Sequence, residues 1–293
     1  MTDMFAYKYI MESDQEILRL KLKTDRATLE KQANWAGIQP GMRVADIGCG
    51  AGKTTFYLKK IVGPKGEAVG IDSSEVRIKD AETHFLSHSV RFFCRDVCRP
   101  LDDIGVFDFI WVRFLLEYHR QDSFEIVKNL YNILKPGGII CLIDLDHNCL
   151  SHFEAPEALM KSLTGLMKVL ETRKNFDPYA GRKLYSYLYD LNFEEIDVDM
   201  QAHHLFFGQL NRIHTFNWIT KAEVAARQSG YDFHEFKGGF DEFYEVFKEF
   251  FLDPRRFTYT PVISCRGRKP LKKTRPVTSS GFRDLKIHSD SSG

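Results

Sequence analysis

Two rhythms of apolar positions run along this chain. Short, continuous apolar runs alternate with longer segments in which apolar residues return every three or four positions. Residues 13–36 read as a helix, because Leu18, Leu22, Leu29, Ala33 and Ala36 share one face, and Gly37 and Pro40-Gly41 end it. Residues 43–47 read as a buried strand. A glycine-rich loop follows, then a helix with Thr54, Leu58, Ile61 and Val62 on its inner face, broken by Gly63-Pro64-Lys65-Gly66. Residues 68–71 predict a second strand ending in Asp72, and Ile78, Ala81 and Phe85 mark the helix after it. Residues 90–94 and 107–112 predict strands three and four. Asp122 is placed to cap the next helix, with Glu125 completing an imperfect capping box. That helix carries a buried stripe of Phe124, Val127, Leu130 and Leu134. Pro136-Gly137-Gly138 stops it, and residues 139–143 form strand five.

Strands alternating with helices at this spacing predict an α/β fold, a doubly wound parallel sheet with every strand's C-terminal end on one edge. Ligands bind along that edge. The pattern loosens after residue 150. Residues 156–173 and 181–191 read as helices, 194–200 alternate like a strand, and 257–265 read as a last strand. Between these two strands, residues 206–251 are rich in helix formers and aromatics. The expected organisation is an N-terminal helical cap (1–36), a core (37–205 and 256–266), a helical insertion or lid (206–255) and a tail (267–293). A basic run opens near the tail with Arg266, Arg268, Lys269, Lys272, Lys273 and Arg275, and a Ser-rich end follows. It reads as a disordered, solvated segment.

Composition narrows the function classes. With 43% hydrophobic residues in 293, the chain can bury a full core. A net charge of +1 offers no broad basic surface for nucleic acid, and no stretch has the length of a transmembrane helix. The expected compartment is the cytosol, since the first residues lack a basic segment followed by an apolar run. Cys49, Cys94, Cys98, Cys141, Cys149 and Cys265 read as reduced core residues. Cys94 and Cys98 have no second pair to complete a zinc site, so no metal is expected.

The candidate chemistry lies in the loop Asp46-Ile47-Gly48-Cys49-Gly50-Ala51-Gly52. A chain leaving a buried strand turns sharply here into a helix, whose N-terminus offers free N–H groups and a partial positive charge. A phosphate loop needs a glycine where Ile47 stands, although Gly52-Lys53-Thr54 would supply its second half. A dinucleotide fingerprint needs its third glycine at Lys53. Asp72, at the end of strand two, can accept both hydroxyls of a ribose, as NAD would also require.

The loop resembles the first motif of class I S-adenosylmethionine-dependent methyltransferases. Gly70-Ile71-Asp72-Ser73-Ser74, Arg95-Asp96-Val97, the run from Phe107 to Arg113, and Leu134-Lys135-Pro136-Gly137-Gly138 resemble the motifs that follow, in the same order. The resemblance spans residues 40–145. It implies a Rossmann-like, seven-stranded sheet with an antiparallel last strand, and S-adenosylmethionine as cofactor with S-adenosylhomocysteine as product. It implies cofactor binding by Asp46, Gly48, Gly50, Gly52, Asp72, Ser73, Asp96, Val97 and Arg113, with Asp96 taking the adenine amino group and the Val97 N–H a ring nitrogen. Tyr9 and Arg19 resemble residues that fold over the cofactor in some small-molecule members.

Methyl transfer from a sulfonium is an in-line displacement, so alignment matters most and a base is needed only if the nucleophile must lose a proton. Candidate bases are Glu117 and His147, after strands four and five. The stripe Phe240, Phe243, Tyr244, Phe247, Phe250 and Phe251 reads either as core packing or as a wall for an apolar or aromatic substrate. Likeness to the ubiquinone/menaquinone-type and secondary-metabolite enzymes implies a small-molecule substrate. The alternatives are a protein or RNA methyltransferase and a non-catalytic cofactor-binding protein of the same fold. The expected partner is a small molecule rather than nucleic acid, with no membrane insertion, and a homodimer is compatible with the sequence.

Overall fold

The structure, a computed structural model, describes residues 26–271. Tyr9 and Arg19, the first half of the expected N-terminal helix and the end of the tail lie outside the described residues. The sheet contains β1 (Arg43–Ile47), β2 (Glu67–Asp72), β3 (Val90–Cys94), β4 (Phe107–Arg113), β5 (Leu134–Leu145), β6 (His152–Phe153), β7 (Glu194–Phe206) and β8 (Phe257–Arg268). β1 pairs with β2 and β4, β2 with β3, and β4 with β5, all parallel. β8 runs antiparallel to β5 and to β7, giving the order β3-β2-β1-β4-β5-β8 with β7 also on β8. This is the doubly wound, Rossmann-like sheet with one reversed strand inside it. An eighth, two-residue strand, β6, pairs with Thr258 on the edge of β8 that β7 leaves open.

The helices are α1 (Arg26–Ala36), α2 (Lys53–Val62), α3 (Glu75–Phe85), α4 (Ser123–Ile133), α5 (Glu157–Arg173), α6 (Leu184–Asp190), α7 (Arg212–Ser229) and α8 (Gly239–Leu252). Successive strand residues face opposite sides of the sheet. Ala45, Ile47, Ile110, Val112, Ile140 and Leu142 therefore pack on one side with Val127 and Leu130 of α4 and Leu184 and Leu188 of α6. Val44, Phe109, Trp111, Ile139, Cys141 and Ile143 pack on the other with Leu29 and Ala33 of α1 and Leu58 and Val62 of α2. Both faces are covered, which is why the central strands read as continuous apolar runs.

Several local expectations are corrected. The buried threonine of α2 is Thr55, whereas Thr54 and Ile61 are half-buried. The inner face of α4 uses Ile126 and Ile133 beside Val127 and Leu130, while Phe124 is half-buried and Leu134 opens β5. Pro136-Gly137-Gly138 does not precede β5 but lies within it. The register slips between the Phe107–Leu134 and Phe109–Ile139 pairs, and such an irregularity accommodates a residue without an N–H. Asp122 makes no side-chain cap; its carboxylate accepts from Asn175 Nδ2 at 3.2 Å, and the amides of Asp122 and Ser123 instead donate to the His119 carbonyl. The basic run begins inside the sheet, because β8 continues to Arg268. There Arg268 pairs with Glu195 at 2.9 Å, and Lys269 Nζ caps the end of α4 through the Tyr131 and Leu134 carbonyls.

A third core lies off the sheet, between α5, α7 and α8. Phe243, Phe247 and Phe251 are fully buried there, with Phe247 stacked on Phe251 and Phe251 on Trp218. The aromatic stripe is thus core packing, each ring worth roughly 1.5–3 kcal/mol relative to exposure. Phe243 and Phe247 also touch an apolar cavity of about 40 Å³.

Candidate functional site

The glycine loop turns from β1 into α2 through positive φ at Gly48 (74°), Gly50 (54°) and Gly52 (81°). A side chain is strained at each such position. At Gly52 a Cβ would also lie 2.8 Å from Ala81 and Phe92, so the close packing of loop on α3 excludes one. The amides of Gly48 and Cys49 donate to the Ile71 carbonyl, and Gly50 N donates to Asp72 Oδ2 at 2.9 Å. Ser74 N donates to the other oxygen, Oδ1, at 2.9 Å. Asp72 is thereby held rigid at the sheet edge with one lone-pair site left on each oxygen.

Asp46 is spent differently. It is 3% exposed, and its Oδ2 accepts from the Thr55 hydroxyl at 2.6 Å, which pins the first turn of α2 to β1. Burial pushes its carboxyl up to about 7, against the pull of the Thr55 hydrogen bond and with a further push from Asp72. Ser73 is exposed beside Asp72. On the neighbouring loop Asp96 is exposed and accepts from Cys98 N at 2.9 Å, while the Val97 side chain is buried in the sheet's core.

At the end of β4, Arg113 lies over the Phe114 ring, its guanidinium carbon 4.1 Å from the centroid. Phe114 has a φ of 57°, a rare conformation for a bulky residue, and it turns the chain at the sheet edge. A row of rings follows: Phe114 on His203, His203 on His204, and His204 on Trp218. His203, His204 and Trp218 of this row border a cavity of about 380 Å³. Its wall is built by Thr28 and Gln32 of α1, Arg113 of β4, Gln201 to His204 of β7, His214, Asn217, Trp218 and Lys221 of α7, and Val262 of β8. Val112, next to Arg113, pairs with Ile47, next to Gly48, so the cavity adjoins the glycine loop.

Neither proposed base is among the described residues of that wall. Glu117 is 3% exposed, and its Oε2 accepts from Asn148 Nδ2 at 2.8 Å. Its amide donates to Asp144, whose carboxyl is held well above the usual range by burial and then by the charge of Glu117. His147 is exposed, with a φ of 48°, and packs edge-on against Tyr179. Asp144, Asp146 and Asn148 do not converge as a metal set, since both Asp146 oxygens pair with Arg182 at 2.8 Å. Elsewhere, Cys98, His119 and Asp122 bring one ligand atom each to within 4.8 Å of one another, a grouping that sequence spacing did not suggest.

The reading of the sequence missed Gln32, Asn217 and Lys221 altogether. They lie on two helices far apart in the chain and match no spacing rule. The His203-His204 pair was visible, but β7 was predicted to end at 200.

The sequence profile of a methyltransferase domain matches residues 44–138. A demethylmenaquinone methyltransferase of Staphylococcus aureus is 31% identical over 125 residues, which are 42% of this chain and 51% of that protein. The chain thus spans about half the length of the curated relatives it matches. Among solved structures, phosphoethanolamine N-methyltransferase 2 of Haemonchus contortus superposes with a TM-score of 0.58 at 14% identity, over 92% of this chain and 61% of that one. The [4+2]-cyclase SpnF superposes at 0.51 and 17% identity, over 90% and 86%. The two proteins are named for different reactions on one fold, so the fold alone does not decide the chemistry. The glycine loop and the strand order agree with this similarity to methyltransferase domains, whose profile matches residues 44–138.

Proposed function

We propose that the chain is an S-adenosylmethionine-dependent methyltransferase whose acceptor is a small molecule held in the cavity beside Arg113. The observation that carries this reading is that adjacency: one end of β4 serves both the glycine loop and a partly open cavity of about 380 Å³ with polar and apolar walls. A volume of that order suits a small ligand.

The residues present fit the cofactor. Asp72 keeps an accepting site on each oxygen for the ribose hydroxyls, and the exposed Asp96 carboxylate is open to an adenine amino group. Gly48, Gly50 and Gly52 leave bare backbone where the methionine portion would lie, ahead of the first turn of α2 and its partial positive charge. Asp46 acts from behind, through Thr55, by fixing the loop. When bound, the cofactor supplies an electrophilic methyl group on a positively charged sulfur. The chain's own task is to orient the acceptor and exclude water. Should the acceptor lose a proton, the imidazoles of His203, His204 and His214 are in the cavity wall, whereas Glu117 and His147 are not.

The substrate reading shifts accordingly. Trp218, Ile213, Val262 and Ala202 give the cavity an apolar side, and polar side chains make up the rest of the wall. The expected experiment is calorimetry with S-adenosylmethionine, S-adenosylhomocysteine and NAD, followed by transfer of a labelled methyl group into fractionated cell extract. Binding of the first two ligands, with label in the small-molecule fraction, supports the proposal. Binding of NAD alone, or label confined to protein and RNA, overturns it.

A further inference from the structure

The cavity wall has a one-sided chemistry. It contains Arg113, His203, His204, His214 and Lys221, and among the described residues that line it there is no Asp or Glu. Lys128, Lys135, Lys168, Lys183 and Lys248 each pair with a carboxylate. Lys221 is half-buried, and among the described residues no carboxylate lies within ion-pair distance of it. Its Nζ donates to Asn148 Oδ1 at 3.1 Å and lies 5.7 Å from the centre of the Trp218 ring. An ammonium has three donors and no acceptor, so two donors remain for a ligand.

This ammonium is held by a rigid frame. Glu117 as a carboxylate can only accept, so Asn148 must turn its NH2 toward Glu117 and its oxygen toward Lys221. The buried glutamate read from sequence as a base is thus a positioning residue, two hydrogen bonds behind the cavity. The same wall holds polar atoms that await a partner. Gln32 Oε1, Asn217 Oδ1 and Trp218 Nε1 belong to residues 3%, 8% and 3% exposed and have no hydrogen-bond partner. Leaving such atoms unpaired is costly, and a polar ligand or water relieves that cost.

We infer that the acceptor carries an oxyanion, a carboxylate or a phosphate, which pairs with Lys221 on the Asn148–Glu117 frame. The inference rests on the reading of this cavity as the acceptor site.

The full chain, loaded with S-adenosylhomocysteine, is titrated with benzoate, inorganic phosphate and neutral benzyl alcohol by calorimetry. Lys221→Met and Lys221→Arg are compared, each first checked by thermal melting and for cofactor affinity. At least one anion should bind more tightly than benzyl alcohol. Its affinity should fall about tenfold in Lys221→Met and be partly restored in Lys221→Arg, with S-adenosylhomocysteine affinity unchanged. Preference for benzoate indicates a carboxylate acceptor, and preference for phosphate a phosphorylated one. Equal anion binding by wild type and Lys221→Met, tighter binding of benzyl alcohol, or no anion binding up to about 50 mM overturns the inference. Failure of S-adenosylhomocysteine itself to bind strikes the proposed function instead.

Discussion

The backbone amide of Gly50 donates to Oδ2 of Asp72 at 2.9 Å across two adjacent strand ends. The glycine loop and the acidic residue after β2 are therefore one unit, each holding the other in place. Removing the carboxylate releases the loop and, on the proposed function, also takes away the acceptor for the ribose. Asp72→Ala is expected to weaken S-adenosylmethionine and S-adenosylhomocysteine binding together by about 2–4 kcal/mol, for the loss of two charge-assisted hydrogen bonds. Calorimetry checks it; retained affinity for both ligands would show that Asp72 does not touch them.

Asp46 predicts a stability that falls toward neutral pH. Its folded value of about 7 lies above its ordinary 3.8, so the folded chain holds a proton that the unfolded chain has lost between those values. Stability from this group is present below about pH 4 and declines as pH rises through 7. Asp46→Asn keeps an acceptor for Thr55 without the charge. Relative to wild type, it should gain up to roughly 4 kcal/mol between pH 4 and 8 in urea unfolding without ligand. A constant difference across that range would rule the buried charge out.

His152 works in the opposite direction. Burial holds its imidazole down to about 4, between Thr258 Oγ1 at 2.8 Å and the Cys149 carbonyl at 3.1 Å. Below its ordinary 6.5 the unfolded chain takes up a proton that the folded chain refuses, so stability falls as pH drops from 6.5 toward 4. His152→Gln should flatten this acid limb by at most roughly 3 kcal/mol, read from unfolding midpoints at several pH values.

Gly181 lies against the end of β5. A Cβ there would sit 3.0 Å from the Asp144 carbonyl oxygen and 3.2 Å from the Leu145 carbonyl, and backbone cannot move aside as a side chain can. Gly181→Ala is expected to cost about 1–3 kcal/mol in denaturant unfolding. Unchanged stability would mean that the 3₁₀ turn at Gly181–Lys183 shifts freely.

Legibility in the sequence divides by range of interaction. The strands that alternate between Val44 and Ala45, or Phe109 and Ile110, announce themselves because side-chain period and two-sided burial are local properties. The loop from Asp46 to Gly52 is equally legible, since a tight strand-to-helix turn demands glycine at fixed places. Even there, the partner of Asp46 is Thr55, a contact set by how α2 sits on β1.

By itself, then, the sequence determined the sheet, its glycine loop and the acidic residue after β2. Each depends on residues near one another in the chain or on a regular period. The tertiary structure alone decided the cavity beside Arg113. Gln32 of α1, Arg113 of β4, His203 and His204 of β7, and Lys221 of α7 meet only because β8 reverses and carries β7 and its following helices back over the sheet edge. The same closure turned Glu117 from a proposed base into the buried anchor of Asn148. Contacts across nearly two hundred residues follow from packing, and packing has no period to read.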